Sequence, residues 1–176
     1  MDKIMPIIGS TEYVSVGKYE NIPAKIDTGA DSSSIWASNI EITKNGVLRF
    51  ALFDHGYPSY TGKTFERTDY KVAVVRSATG EEQVRYRTKF KLKIAGKTVN
   101  ALLYLSDRSN NNFPLLIGRR TISGKFLVDV SKSSVPRPPK NPRTLSLNTE
   151  LKEDPYKFHQ KYVKMSRGYI RKGAIK

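Results

Sequence analysis

Up to Ser131 the chain offers no apolar stripe at helical spacing that lasts several turns. It offers short segments rich in β-branched and aromatic residues, each cut off by Gly, Asn or Asp. That pattern constrains the fold more than any other feature, because period-two segments cannot sit as helices. Candidate strands are Tyr13–Val16, Ile22–Ile26, Val47–Phe53, Tyr70–Arg76, Val84–Ile94, Thr98–Leu105, Leu115–Ile117 and Phe126–Val130. Gly17-Lys18, Ala78-Thr79-Gly80-Glu81 and Ala95-Gly96-Lys97 supply turns with a Gly where positive φ is needed, so hairpins are expected near Gly80 and Gly96. The stretch from Asp54 to Asp69, with two Gly and one Pro, reads as a loop insertion. The expectation is an all-β, closed and mostly antiparallel barrel with at most a short helix after Gly118.

The pattern stops at Val135-Pro136-Arg137-Pro138-Pro139-Lys140-Asn141-Pro142-Arg143, whose prolines argue against helix and central strand alike. The reading is a folded domain over residues 1–134, then a Pro-rich linker and basic tail over 135–176. The tail is expected to be mobile or ordered by a partner, with at most a basic helical turn or two over Asp154–Met165 and Tyr156, Phe158 and Tyr162 as its aromatic content. From Val135 onward eleven Lys or Arg face three acids, so this segment carries +8 of the formal net charge of +15. A field of that sign attracts polyanions such as nucleic acid, ribosomes or anionic lipid, or else simply solvates the surface. No apolar run is long enough to span a bilayer, and Met1–Ser10, interrupted by Pro6, does not resemble a signal peptide. With no cysteine, the expected setting is cytoplasmic, without membrane contact.

Ala24-Lys25-Ile26 runs as a strand into Asp27-Thr28-Gly29-Ala30-Asp31. A carboxylate at the end of a buried strand is costly unless it is paired or used. Asp-Thr-Gly alone is also an ordinary turn sequence. Its context is what carries weight: Ser32-Ser33-Ser34, Ile35 and Trp36 follow, and some ninety residues later an apolar run ends in Leu115-Leu116-Ile117-Gly118-Arg119.

These paired motifs resemble the retropepsin family of aspartic proteases. More narrowly, Ala24–Trp36, Phe113–Arg120 and Phe126–Ser131 resemble its RimB-like group, often labelled an ATP-dependent zinc protease. The resemblance spans about Ile7 to Ser134 and implies an acid-protease barrel with a flap hairpin. It implies Asp27 as the catalytic carboxylate, Thr28 as the hydroxyl bracing two catalytic loops, and Gly29 as the point where substrate backbone lies close. Ala30 and Asp31, with Thr79 and Gly80 of the flap around Ser77–Glu82, are the implied substrate contacts. Gly118 and Arg119 give structural support, Arg119 by pairing with Asp31. This chemistry needs two facing aspartates that share a proton, one activating water and the other polarising the scissile carbonyl. The sequence holds a single Asp-Thr-Gly, so a second copy of the chain is expected to complete the site.

The zinc and ATP of the group's label find no support in the residues. Only His55 and His159 are available, there is no cysteine, no His-Glu-x-x-His and no phosphate-cradling Gly-x-x-x-x-Gly-Lys loop, so no cofactor is expected. His55 reads as a simply exposed loop residue. Glu81 and Glu82 beside Arg85 and Arg87 suit a charged peptide, or merely a solvated hairpin. Two functions follow. One is a peptidase acting on peptides or protein tails, and the group's association with ATP-grasp enzymes that ligate amino acids to peptides points to processing of such products. The other is a basic module that binds nucleic acid or another polyanion on a protease-like fold.

Overall fold

The computed structural model describes residues 4–76, 82–136 and 142–162. Contacts divide the chain into two compact units, Met1–Pro136 and Arg137–Lys176.

The first unit is built on eleven strands: β1 (Ile7–Ile8), β2 (Thr11–Val16), β3 (Tyr19–Asp27), β4 (Ser33–Ile42), β5 (Leu48–Leu52), β6 (Thr64–Arg67), β7 (Tyr70–Arg76), β8 (Glu82–Ile94), β9 (Lys97–Ser106), β10 (Leu115–Gly118) and β11 (Leu127–Val128). One four-residue helix, α1 (Arg119–Ile122), follows Gly118. Strands pair in the order β10-β3-β2-β8-β9-β4, and β10 pairs again with β4. Six strands thus close into a barrel, which removes the exposed edges an open sheet would leave. Most pairs are antiparallel; β10 runs parallel to β3, β4 to β9 and β1 to β11. The all-β closed barrel read from the sequence is therefore the observed one.

Alternation fixes which face of each strand is inside. Along β8, Phe90, Leu92 and Ile94 are buried while Lys89, Lys91 and Lys93 are exposed. A one-residue slip against β9 would invert that set. The β8–β9 register is closed by a two-residue turn, Ala95-Gly96, with both residues at positive φ (44° and 77°) as this tight hairpin requires. Ile22, Ala24, Ile35, Leu92, Leu103, Leu115 and Ile117 fill the interior with no measurable exposure.

Several elements, among them the two-residue β1, differ from the sequence reading. β4 was not anticipated, because Ser33, Ser34, Ser38 and Asn39 interrupt its apolar signal; Ser33 and Ser34 are nonetheless buried, with hydroxyl hydrogen bonds that permit it. β6 lies inside the supposed loop insertion, where Phe65 stacks on Phe50 at 5.5 Å, and Tyr57 packs on Phe53 and Trp36. In the second unit, α2 (Pro142–Glu153) stands where no helix was expected, whereas a helical stretch over 155–162 falls within Asp154–Met165, where a helical turn or two was expected. Pro142 opens α2, the one helical position where a missing N–H costs nothing.

The end of the first unit is tied to its start. Ser10 donates its N–H to the Lys132 carbonyl, Ser134 to that of Thr11, and Val135 is buried, its N–H bonded to Thr11 Oγ1. Gly9 makes this possible, since a Cβ there would stand 2.6 Å from the Lys132 carbonyl oxygen. Gly9→Ala should therefore lower stability by about 1–3 kcal/mol, read as a lower denaturant midpoint with an unchanged slope.

Candidate functional site

Strand β3 ends on Asp27, and β10 lies parallel beside it with Ile117 opposite Ile26 and Gly118 opposite Asp27. The chain turns sharply after Asp27, which itself organises the turn. Its Oδ1 accepts the N–H groups of Gly29 and Ala30, each at 3.2 Å. Its Oδ2 faces the Lys25 ammonium at 3.5 Å. The side chain is 27% exposed and anchored on one oxygen by the turn's own backbone. Thr28 and Gly29 are exposed, and no residue of the same chain among those described bonds to the Thr28 hydroxyl.

What fixes the turn from below is Gly118. A Cβ on it would stand 2.5 Å from the Ser32 carbonyl oxygen and 2.8 Å from that of Ala30, so only glycine lets β10 come this close. The next two N–H groups, at the start of α1, complete the clamp: Arg119 donates to the Ala30 carbonyl at 2.8 Å and Arg120 to that of Asp31 at 3.2 Å. Gly118 N–H itself donates to Ser33 Oγ at 2.9 Å, and that hydroxyl also bonds Thr121 Oγ1 at 2.7 Å, all of it buried. Gly29 is different, since a Cβ there would meet only Asp27 Oδ1 at an ordinary 3.5 Å.

Asp31 pairs with Arg119 and, at 3.7 Å, with Arg120, about half exposed and therefore worth under about 1 kcal/mol. Beside it opens a cleft of about 560 Å³ lined by Ala30, Asp31, Ser34, Arg85, Arg108 and Arg120, with Tyr104 in its wall. Arg108 is half-buried and donates Nε–H to the Phe113 carbonyl and Nη1–H to Ser34 Oγ, each at 3.0 Å. Burial, and then the neighbouring Arg85 guanidinium, push its pKa down from the ordinary value. Arg85 itself forks onto Gln83 Oε1. Thus Asp27, Thr28, Gly29, Ala30, Asp31, Gly118 and Arg119 stand together, whereas Thr79 and Gly80 of the expected flap tip lie outside the described residues. The flap's arms are described, with Arg76 opposite Glu82. Sequence reading missed Ser33, Ser34, Arg108 and Arg120. The serine run was a signal, because three serines between two apolar strand segments need partners if they are buried, but nothing marked Arg108 in its polar turn. His55 is exposed, and no cluster of three or more His, Cys, Asp or Glu able to hold a metal occurs among the described residues, so zinc does not fit this site.

The two glycines give a paired test. Gly118→Ala should cost about 2–4 kcal/mol, since two carbonyls must move, while Gly29→Ala should stay within about 1 kcal/mol. Ser33→Ala, which strands the buried Gly118 N–H, should cost about 1–3 kcal/mol. Thermal unfolding of the three variants checks the order.

A family model described as retropepsin-like aspartic endopeptidase RimB matches residues 7–139. Proteins named probable alpha-L-glutamate ligase from Shewanella pealeana and Desulfotalea psychrophila are 31% and 27% identical over 132 and 128 residues, covering 72% and 70% of this chain. The chain spans under a third of those relatives' length, 29% and 28%. A crystal structure of Lpg0085 from Legionella pneumophila, a protein of unknown function, superposes with a TM-score of 0.58 at 28% identity, covering 73% of this chain and 95% of that one. With its barrel, its Asp-Thr-Gly turn clamped by Ile117-Gly118-Arg119 and this match over most of its length, the chain belongs to the RimB-like family of retropepsin-like aspartic endopeptidases.

Proposed function

We propose that this protein is an aspartic peptidase whose active site forms when two copies bring their Asp27 turns together, and that it cleaves acidic peptides or protein tails. The observation that carries the reading is the Asp27 turn. One carboxylate oxygen is held by two backbone N–H groups, the other faces only the half-exposed Lys25 ammonium at 3.5 Å among the described residues, and the turn is braced from behind by Gly118, Arg119 and Ser33. A rigid, partly exposed carboxylate is what a water-activating group requires. The described chain has one such turn, and peptide hydrolysis by this route needs two carboxylates sharing one proton. A two-fold axis beside Thr28 supplies the second at no cost in new sequence. In that arrangement Thr28, exposed and without a partner in its own chain, bonds across the axis, and Gly29 leaves room for substrate backbone.

In the reaction, the ionised Asp27 of one copy takes a proton from water as its oxygen attacks the scissile carbonyl carbon. The protonated Asp27 of the other copy donates to the carbonyl oxygen. Collapse of the tetrahedral intermediate breaks the C–N bond, with a proton passing to the leaving amine. The substrate preference rests on the arginines of the cleft, whose positive field is unmatched by acids apart from Asp31. The relatives named as glutamate ligases make acidic tails a chemically coherent substrate.

Asp27→Asn should lower cleavage of an acidic peptide by about 10²–10⁴-fold or more while leaving the melting temperature nearly unchanged. Equal cleavage by this variant sinks the reading. Thr28→Val should raise the concentration at which the dimer forms, measured by sedimentation. A chain that cleaves as a strict monomer refutes the two-copy site.

A further inference from the structure

Three guanidinium groups line the cleft beside the Asp27 turn, and two of them, Arg85 and Arg108, are held only by neutral partners among the described residues. Arg108 spends two of its five N–H bonds on the Phe113 carbonyl and on Ser34 Oγ. Arg85 spends two on the amide oxygen of Gln83. No carboxylate among the described residues pairs with either. Asp31, the acid in the same cleft, is engaged by Arg119 and Arg120 instead.

This is a costly arrangement for a folded chain. A half-buried cation loses hydration, and a second cation nearby adds repulsion; a neutral carbonyl and a hydroxyl return only part of that loss. Yet the geometry is not slack. Arg108 is fixed at two points, one on β4 just past the catalytic turn and one in the segment leading into β10, the two elements that also build the Asp27 site. Its remaining three N–H bonds are oriented and without an anion. A planar fork of that kind matches a carboxylate bidentately, which an ammonium cannot do.

Resting on the peptidase reading above, we propose that Arg108 is a specificity-determining residue that binds a side-chain carboxylate of the substrate, aimed by Ser34 and the Phe113 carbonyl, with Arg85 of the β7–β8 arm as the second cation. Tyr104, whose ring carries the Arg87 guanidinium at 5.6 Å, forms the wall behind them. Substrate charge is then read in the cleft beside the Asp27 turn rather than by the basic tail.

The test uses the full chain carrying Asp27→Asn, so that binding is read without cleavage. The probes are two fluorescein-labelled peptides that differ only by Glu or Gln at one position, followed by anisotropy. The Glu peptide should bind tighter than its Gln isostere, and Arg108→Gln should weaken the Glu peptide by about 10–100-fold, the worth of a charged hydrogen-bonded pair. The Gln peptide should lose far less, so the preference collapses. Arg108→Glu should turn the preference towards a Lys peptide, which a merely structural role for Arg108 would not do. Arg85→Gln, on the hairpin arm, should reduce the same preference in the same direction and serves if Arg108→Gln does not fold. A Glu preference that survives both substitutions overturns the proposal, as does equal binding of Glu and Gln peptides with inorganic phosphate displacing both. Failure of the peptidase reading shows separately, as absence of cleavage by the unsubstituted chain, while the binding ratios still decide the role of Arg108.

Discussion

The contact between Gly118 and the carbonyls of Ala30 and Ser32 is the constraint on which the site depends. It occurs where β10 runs parallel to β3 on one side and antiparallel to β4 on the other, so one short strand closes the barrel and seats the Asp27 turn at once. Any side chain at that position would push the turn away from the strand. Because the two N–H groups that follow are spent on the carbonyls of Ala30 and Asp31, the turn has no freedom to relax without breaking the start of α1. The geometry of the Asp27 turn and barrel closure are therefore one problem in this chain, and a change that loosens one loosens the other.

Ser33 shows how that coupling is made without apolar packing. Its hydroxyl accepts from the Gly118 N–H and bonds Thr121, which ties β4, β10 and α1 together in the interior. A buried hydroxyl with its bonds satisfied costs little and specifies geometry more sharply than a methyl group would. Ser34, the next residue, aims Arg108 into the cleft. Adjacent serines on one strand thus serve opposite faces, one holding the Asp27 turn and the other the candidate substrate contact, as the period of two requires.

Such polar joints explain what the sequence revealed and what it hid. Strands with plain apolar alternation, such as β8 and β9, and turns with a glycine at positive φ, such as Ala95-Gly96, were legible because burial and backbone sterics act residue by residue. The Asp27 turn and the Ile117-Gly118-Arg119 strand were legible through a paired motif. β4 was not, because it begins with serines whose partners lie 74 to 88 residues away, and no local signal reports a hydrogen bond at that range. α2 was missed for a different reason: prolines were read as excluding helix throughout, although the last of the run, Pro142, sits where a helix can begin. Arg108 was invisible because an arginine in a Ser-Asp-Arg-Ser-Asn turn has no pattern that separates it from a solvated one.

The neutral company of Arg85 and Arg108 bears on why the cleft remains a cleft. Had both guanidinium groups been given internal carboxylates, they would have been self-satisfied, and they would present no net field to a peptide. Asp31 lines the same cleft, yet its carboxylate is held by Arg119 and Arg120 instead. Those two arginines follow Gly118 directly, so the residue that clamps the Asp27 turn also determines which cations neutralise Asp31. The surplus positive charge in the cleft is in this sense a consequence of the same close approach that positions Asp27. A substrate carboxylate entering it would relieve a cost the fold already carries, which is how binding energy comes to favour one side chain over its neutral isostere.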